Sequence, residues 1–107
     1  MALDRGSIIG FDWDDGNSAK SADKHGVSQA EAEQVFVNRP LTVAEDTKHS
    51  AQETRYHALG RSTEGRLLHV TFTLRQNGTV IRVISARGMN HKERVIYDGA
   101  NDEKEKA

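Results

Sequence analysis

The segment from residue 67 to residue 86 constrains the fold of this 107-residue chain most strongly, because it has the pattern of a β-hairpin. Every second residue of its first half is apolar, and this apolar set is Leu68, Val70, Phe72 and Leu74. The polar residues between them occupy the opposite face of a strand. The dipeptide Asn77-Gly78 then favours a tight turn, and the β-branched run after it returns antiparallel. We therefore expect an antiparallel sheet.

Further strands and helices are indicated on both sides of this hairpin. The additional strands are expected at residues 8–13, 41–45 and 55–61. A short polar helix is expected at residues 17–24, and two more helices begin at Ser28 and Asn90, because a glutamate three positions later completes a capping box in each case. This order predicts an α+β domain with a small antiparallel sheet of about four strands. The helices would pack on one face of the sheet and leave the other face partly open.

The length and composition favour one domain spanning residues 1–107. Its ordered core is expected at about residues 8–97, because residues 98–107 lack large apolar side chains and have the composition of a flexible acidic tail. No apolar run approaches the roughly 18 residues of a membrane span, which excludes a membrane-spanning helix. The absence of cysteine excludes a disulfide scaffold and thiolate chemistry, and it fits the reducing cytoplasm, where we expect the protein.

Charge is distributed unevenly along the chain, although the formal net charge is only −1. Residues 55–97 carry eight Lys or Arg against Glu64 and Glu93, whereas residues 1–54 carry an excess of acidic groups. Such asymmetry indicates a polyanionic partner, and arginine is the side chain best suited to forked phosphate contacts. The alternative is that these arginines only keep the surface strands soluble.

Motifs for the common catalytic chemistries are missing from the sequence. It has no glycine-rich phosphate-binding loop and no nucleophile elbow, and its five histidines lack the close helical pairing of zinc sites. A metal site formed by His49 with Asp46 or Glu53 is a weak alternative, and we predict neither a metal nor a cofactor. General acid–base and electrostatic catalysis remains, which suits the cleavage of an RNA phosphodiester.

Several stretches of the chain form a series of motifs. They are Phe11 to Asn17, Lys24 to Ser28, Glu31 to Phe36, Asp46 to Gly60, Gly65 to Arg75 and Ile84 to Tyr97. In its order and spacing this series resembles the BrnT family of toxins from bacterial type II toxin–antitoxin modules, over about residues 11–97.

The resemblance implies a fold similar to that of RelE-like toxins, and an activity that cleaves RNA and arrests translation. It also implies a BrnA-like antitoxin as the partner, in a two-plus-two heterotetramer. We therefore predict a ribonuclease toxin, an endoribonuclease that works without a metal ion. The alternative is a non-catalytic RNA- or antitoxin-binding member of the same family.

The resemblance and the local pattern together select candidate site residues. The candidates for catalysis are Lys24, His25, Arg55 and Arg87, and those for RNA binding are Arg75, Arg82, Arg61 and His49. We expect Arg55 and Arg87 to contact phosphate and stabilise the transition state, unless each is paired with an acid such as Glu53 or Glu93. His25 would serve as a general acid or base, unless it only caps the helix that ends before Gly26.

Overall fold

The computed structural model of the chain describes residues 5–13, 26–48 and 53–106. Within these ranges five strands form a single sheet: β1 (Gly10–Asp12), β2 (Thr42–Asp46), β3 (Arg55–Arg61), β4 (Leu67–Arg75) and β5 (Val80–Gly88). Two α-helices pack against the sheet, α1 (Gln29–Val37) and α2 (His91–Lys106), and a short 3-10 turn spans Arg5–Ser7. The predicted α+β class is confirmed.

The sheet is mixed, and its strands lie in the order β1-β5-β4-β3-β2. Strands β2 to β5 are antiparallel to their neighbours, whereas β1 runs parallel to β5. The prediction of an antiparallel sheet of about four strands is therefore corrected to a five-stranded mixed sheet. The error has a physical reason: β1 has only three residues and pairs with a strand about 70 residues later in the chain, and no local pattern indicates such a pairing.

The hairpin that the sequence predicts is formed by β4 and β5. Arg75 pairs with Val80 at the end of the two strands, and the turn between them places Gln76, Asn77 and Gly78 at φ angles of 52°, 58° and 83°. Glycine adopts this left-handed backbone without strain, and asparagine tolerates it better than most residues do. The Asn-Gly pair therefore sets the position of the turn and the register of the strand ends beside it. Farther along, a bulge shifts the register by one residue between Thr71 and Phe72.

Helix α1 covers one face of the sheet, which we call the core face. The Ser28 Oγ accepts a hydrogen bond from the backbone N–H of Glu31 at 3.1 Å, which confirms the N-cap half of the predicted capping box. The Glu31 carboxylate accepts from Arg66 at 2.8 Å instead of completing the box. The helix ends at Val37, ahead of Pro40, as the proline predicts. The buried residues of this core are Val27, Ala32, Val35, Phe36, Tyr56, Ala58, Leu68, Val70, Phe72, Ile81, Val83 and Ala86.

Helix α2 lies against the opposite face of the sheet. Its Tyr97 is buried in a second cluster with Leu59, Met89 and the half-buried Leu67, and the Tyr97 hydroxyl donates a hydrogen bond to the carbonyl oxygen of Pro40 at 2.7 Å. The prediction that the helices pack on one face is therefore wrong. The reason is that Leu59 and Leu67 form an apolar patch at one end of a face that is otherwise polar, and α2 buries this patch.

Helix α2 continues past Tyr97 to Lys106, although the sequence there indicates no apolar packing face. The flexibility of residues 98–107 and the single-domain organisation of the chain stay predictions. The helix expected at residues 17–24 lies outside the described residues. In the part of the chain that the structure describes, neither helix combines the length and the apolar character that crossing a membrane requires.

Candidate active site

The face of the sheet opposite to α1, which we call the site face, carries three cross-strand rows of side chains. Strand alternation places them there, because each is one position away from a residue of the core face. The rows are Leu59–His69–Arg87, His57–Thr71–Ser85 and Arg55–Thr73–Arg82. Neighbouring rows are two residues apart along β3 and β4, or roughly 7 Å. On β5 a bulge adds one residue between Ser85 and Arg82. Arg55 and Arg87, the two predicted catalytic arginines, thus lie on one face but in different rows.

His57 lies in the middle row, held between a carboxylate and a hydroxyl. Its Nε2 is 2.9 Å from Oδ2 of Asp46, and its Nδ1 is 3.1 Å from Oγ1 of Thr71. An ionised carboxylate only accepts hydrogen bonds, so Nε2 carries the proton in the neutral ring and Nδ1 accepts from the Thr71 hydroxyl. This arrangement fixes the orientation of the ring on the site face.

His69 lies next to His57 and is held in the neutral state. The centroids of the two rings are 4.8 Å apart, and the Nε2 of His69 is 3.8 Å from Oε2 of Glu93. Burial, together with the positive charge of Arg87, lowers the pKa of His69 to about 4. The ring is therefore uncharged at pH 7, and its buried Nδ1 has no hydrogen-bond partner among the described residues.

Arg87 and Glu93 form a forked ion pair beside His69. The two guanidinium Nη atoms of Arg87 donate to the two carboxylate oxygens of Glu93, each at 2.8 Å. These hydrogen bonds raise the pKa of Arg87 above its usual value. Burial alone would raise the pKa of Glu93, but hydrogen bonds from Arg87 and Asn90 outweigh it and hold that pKa below its usual value. The pairing with Glu93 that the sequence leaves open as an alternative for Arg87 is thus present.

Glu93 has a second role at the start of α2. The backbone N–H of Asn90 donates to Oε1 of Glu93 at 3.0 Å, and the side-chain oxygen of Asn90 accepts from the backbone N–H of Glu93 at 2.8 Å. This reciprocal pair confirms the predicted capping box. One carboxylate therefore joins the first turn of α2 to Arg87 on β5, so the helix start and the site face are held together.

Three arginines from three strands line a separate pocket of about 240 Å³ at the other end of the site face. The pocket is lined by Glu53, Arg55, Thr73, Arg75, Arg82 and Ile84, and we call it the basic pocket. Glu53 contacts Arg75 at 3.0 Å, and outside the pocket Asp12 contacts Arg82 at 3.3 Å. The two acids are almost half exposed, so these ion pairs are weak, and a phosphate group could compete for either arginine.

The remaining predicted site residues lie elsewhere or outside the described ranges. Arg61 is at the far end of β3, roughly 20 Å along the strand from Arg55, and its Nε donates to the carbonyl oxygen of Arg39 at 3.1 Å. Lys24, His25 and His49 lie outside the described residues, so their placement stays a prediction. Among the residues that are described, no cluster of three or more His, Asp or Glu side chains could hold a metal ion.

The prediction from sequence missed the histidine pair, although a signal for it exists. The turn between β3 and β4 pairs Leu59 with His69 and His57 with Thr71. The two histidines are therefore diagonal neighbours on one face, which is within contact range for ring side chains. Their position follows once the register of this second hairpin is known. The contribution of Asp46 from β2 does not follow, because its carboxylate reaches His57 across a strand pairing that no turn motif indicates.

The lowered pKa of His69 leads to a testable pH dependence of stability. The unfolded chain takes up a proton near pH 6.5, whereas the folded protein resists protonation until about pH 4, so stability falls as pH drops below 6.5. We expect the free energy of unfolding to decrease by about 2 kcal/mol between pH 7 and pH 5 because of this group. Glu93, with its lowered pKa, stays ionised over this interval.

Urea unfolding at pH 7 and pH 5 measures this effect in the native protein and in the His69→Gln variant, which has no imidazole to titrate. The variant should lose less stability than the native protein on acidification. An equal loss in both proteins would contradict the assignment of the pH dependence to His69.

Comparison with known proteins identifies the family of this chain. The family model described as "Ribonuclease toxin, BrnT, of type II toxin-antitoxin system" matches residues 13–93. The fold is similar to the crystal structure of the Brucella abortus ribonuclease toxin BrnT, with a TM-score of 0.60 and 22% sequence identity, over 78% of this chain and 100% of that one. A search among curated proteins finds no match. The chain thus belongs to the BrnT family, the ribonuclease toxins of type II toxin–antitoxin systems.

Proposed function

We propose that this chain is an endoribonuclease that cleaves RNA without a metal ion and thereby arrests translation. The observation that carries the proposal is the placement of an oriented imidazole and a fixed guanidinium on one sheet face. His57 is held by Asp46, and Arg87 lies one row away, beyond the neutral ring of His69. RNA cleavage needs proton transfer and positive charge at the phosphate, and this face offers both.

In the proposed reaction a base removes the proton from a ribose 2′-hydroxyl, and the 2′-oxygen attacks the adjacent phosphorus. The bond from phosphorus to the 5′-oxygen breaks, and an acid returns a proton to that oxygen. The products are a 2′,3′-cyclic phosphate and a 5′-hydroxyl. His57 is suited to one of these proton transfers, provided that Asp46 or Thr71 yields its place at the ring to the substrate. Lys24 and His25 stay in the proposal as further acid–base candidates, on the resemblance of their motif.

The arginines have the second task in this mechanism. Arg87 would stabilise the negative charge that develops on the phosphate, for which its fork must turn at least partly from Glu93 to the substrate. Arg55 would stabilise charge from the basic pocket, and Arg75 and Arg82 would hold neighbouring phosphates of the strand. We also propose Arg61 and His49 as RNA contacts, in addition to Arg87 and the arginines of the basic pocket.

A type II toxin acts together with an antitoxin, and this chain therefore has one as its partner. We propose that the antitoxin is BrnA-like, that the two proteins form a heterotetramer, and that both are cytoplasmic. The concentration of basic groups on one sheet face suits an acidic segment of the antitoxin, because one such segment could cover the arginines and the histidine pair together.

Incubation of the purified chain with single-stranded RNA in EDTA tests the proposed activity. We expect cleavage with product in excess over protein, ends that carry a 2′,3′-cyclic phosphate and a 5′-hydroxyl, and no loss of rate on metal removal. Induced expression without the antitoxin should arrest growth. Cleavage that stops in EDTA and returns with added magnesium would contradict the metal-independent mechanism.

The second candidate function is non-catalytic RNA or antitoxin binding by a member of the same family. It is favoured by one observation: both Nη atoms of Arg87 are already engaged by Glu93, as in an arginine with a structural role. This alternative predicts RNA binding without cleavage, with an affinity that falls steeply with salt because phosphate contacts release counterions.

A further inference from the structure

A pocket of about 400 Å³ lies between the start of α2 and the site face, next to the histidine pair. Its apolar wall is formed by Ala44, Leu59 and Ile96. Ile96 is 50% exposed, which is a large exposed area for an isoleucine beside a charged site. The pocket therefore combines an apolar wall with open access from solvent.

The other wall of this pocket is polar and carries flat rings. It is lined by His57 and His69, together with Arg87 and Glu93. An imidazole ring offers a flat surface on which a nucleobase stacks, and the guanidinium and the carboxylate offer a donor and an acceptor to the edge of such a base. The pocket thus combines apolar contact, stacking rings and hydrogen-bonding groups.

We propose that this pocket, which we call the base pocket, binds one unpaired base of an RNA strand. The inference rests on the proposed function, because it takes RNA as the substrate, and it deepens that function by naming where a base is held. An anionic strand suits the site better than an apolar protein segment, because the basic pocket lies farther along the same sheet face. The rows that contain His69 and Thr73 are roughly 13 Å apart, so the strand would run along the face with its phosphates toward Arg55 and Arg82.

Helix α2 supplies a matched pair of variants for the test. Ile96 lines the base pocket, whereas the neighbouring Val95 does not line it, and both side chains are at least half exposed. Ile96→Asp places a carboxylate in the base pocket, and Val95→Asp places the same charge beside it on the same helix. Because neither position is in the core, both variants should fold, and thermal unfolding checks this.

The probe is a set of short 2′-O-methyl oligonucleotides, one intact and the others with an abasic residue at each position in turn. These probes lack the 2′-hydroxyl, so binding is measured without cleavage. We expect one abasic position to weaken binding to the native protein about tenfold. Ile96→Asp should bind the intact probe about as weakly as the native protein binds that abasic one, whereas Val95→Asp should bind like the native protein.

Two results would overturn the base pocket: equal affinity of the native protein for every probe, or equal losses in the two helix variants. An apolar pocket that receives a protein side chain would give the first of these results. The parallel cleavage assay separates this inference from the proposed function. Cleavage of RNA together with indifference to abasic positions refutes the pocket alone, whereas base-dependent binding without any cleavage refutes the ribonuclease proposal alone.

Discussion

Replacement of Arg87 by alanine is expected to lower the rate of RNA cleavage by about 100- to 1000-fold, the usual cost of removing a group that stabilises transition-state charge. The effect should be large because the Arg87 guanidinium is fixed by two hydrogen bonds of 2.8 Å and lies in the same row as His69. Expression of this variant without antitoxin should no longer arrest growth. Cleavage rates of purified proteins at saturating RNA measure the loss directly.

The alanine variant also leaves the half-buried Glu93 without its main partner, so stability must be separated from catalysis. Arg87→Lys keeps the positive charge but loses the planar fork, and we expect a smaller loss of rate with little change in unfolding. Arg94→Ala removes an equal charge from an exposed position on α2 and serves as the matched control, with a rate close to that of the native protein. Equal rates for Arg87→Ala and Arg94→Ala would exclude Arg87 from catalysis.

Arg55→Ala extends the same experiment to the basic pocket. A reduced cleavage rate of this variant, and relief of the growth arrest, would show that both ends of the site face take part in the same reaction. Undiminished toxicity of both the Arg55 and the Arg87 variants would refute the assigned site as a whole, even if the protein itself remains a ribonuclease.

Phe72→Ala is the substitution with the largest expected effect on stability. Phe72 is fully buried, its ring packs edge-on against Phe36 at 5.0 Å between centroids, and it stacks against Tyr56 at 5.4 Å. Deletion of such a ring leaves a cavity that the sheet and α1 close only in part, and the expected cost is about 3–5 kcal/mol. Since domains of this size are stable by roughly 5–15 kcal/mol, this cost is a large part of the total free energy of unfolding.

Urea unfolding of this variant should be compared with Val37→Ala on the same core helix. Val37 is 73% exposed, so its truncation should change the free energy of unfolding by no more than about 0.5 kcal/mol. A loss below 1 kcal/mol for Phe72→Ala would contradict the packing of α1, β3 and β4 around this ring.

Much of the fold could be predicted because its signals are local. The Asn77-Gly78 turn sets the register of β4 and β5 next to the turn, and the caps at Ser28 and Asn90 start both described helices. Each of these features depends on residues within a few positions of one another, so backbone geometry and nearby hydrogen bonds decide them without help from the rest of the chain.

The errors fall where one segment meets a distant one. The side of the sheet that α2 covers depends on a small apolar patch of Leu59 and Leu67, which come from two strands. The parallel pairing of β1 with β5 joins the first and the last strand of the sheet in chain order. Neither arrangement leaves a periodic pattern in the sequence, because each is chosen by the packing of surfaces that form only after the sheet exists.

The candidate site divides in the same way. From sequence alone came the family, the basic character of residues 55–97 and the arginines at positions 55, 75, 82 and 87, because residue type, spacing and charge are properties of the chain itself. The tertiary structure alone decided that Asp46 holds His57, that His69 is neutral, and that Glu93 pins Arg87 beside them. Distances of about 3 Å between side chains of different strands and helices, and the burial that sets a pKa, exist only once these elements have packed together.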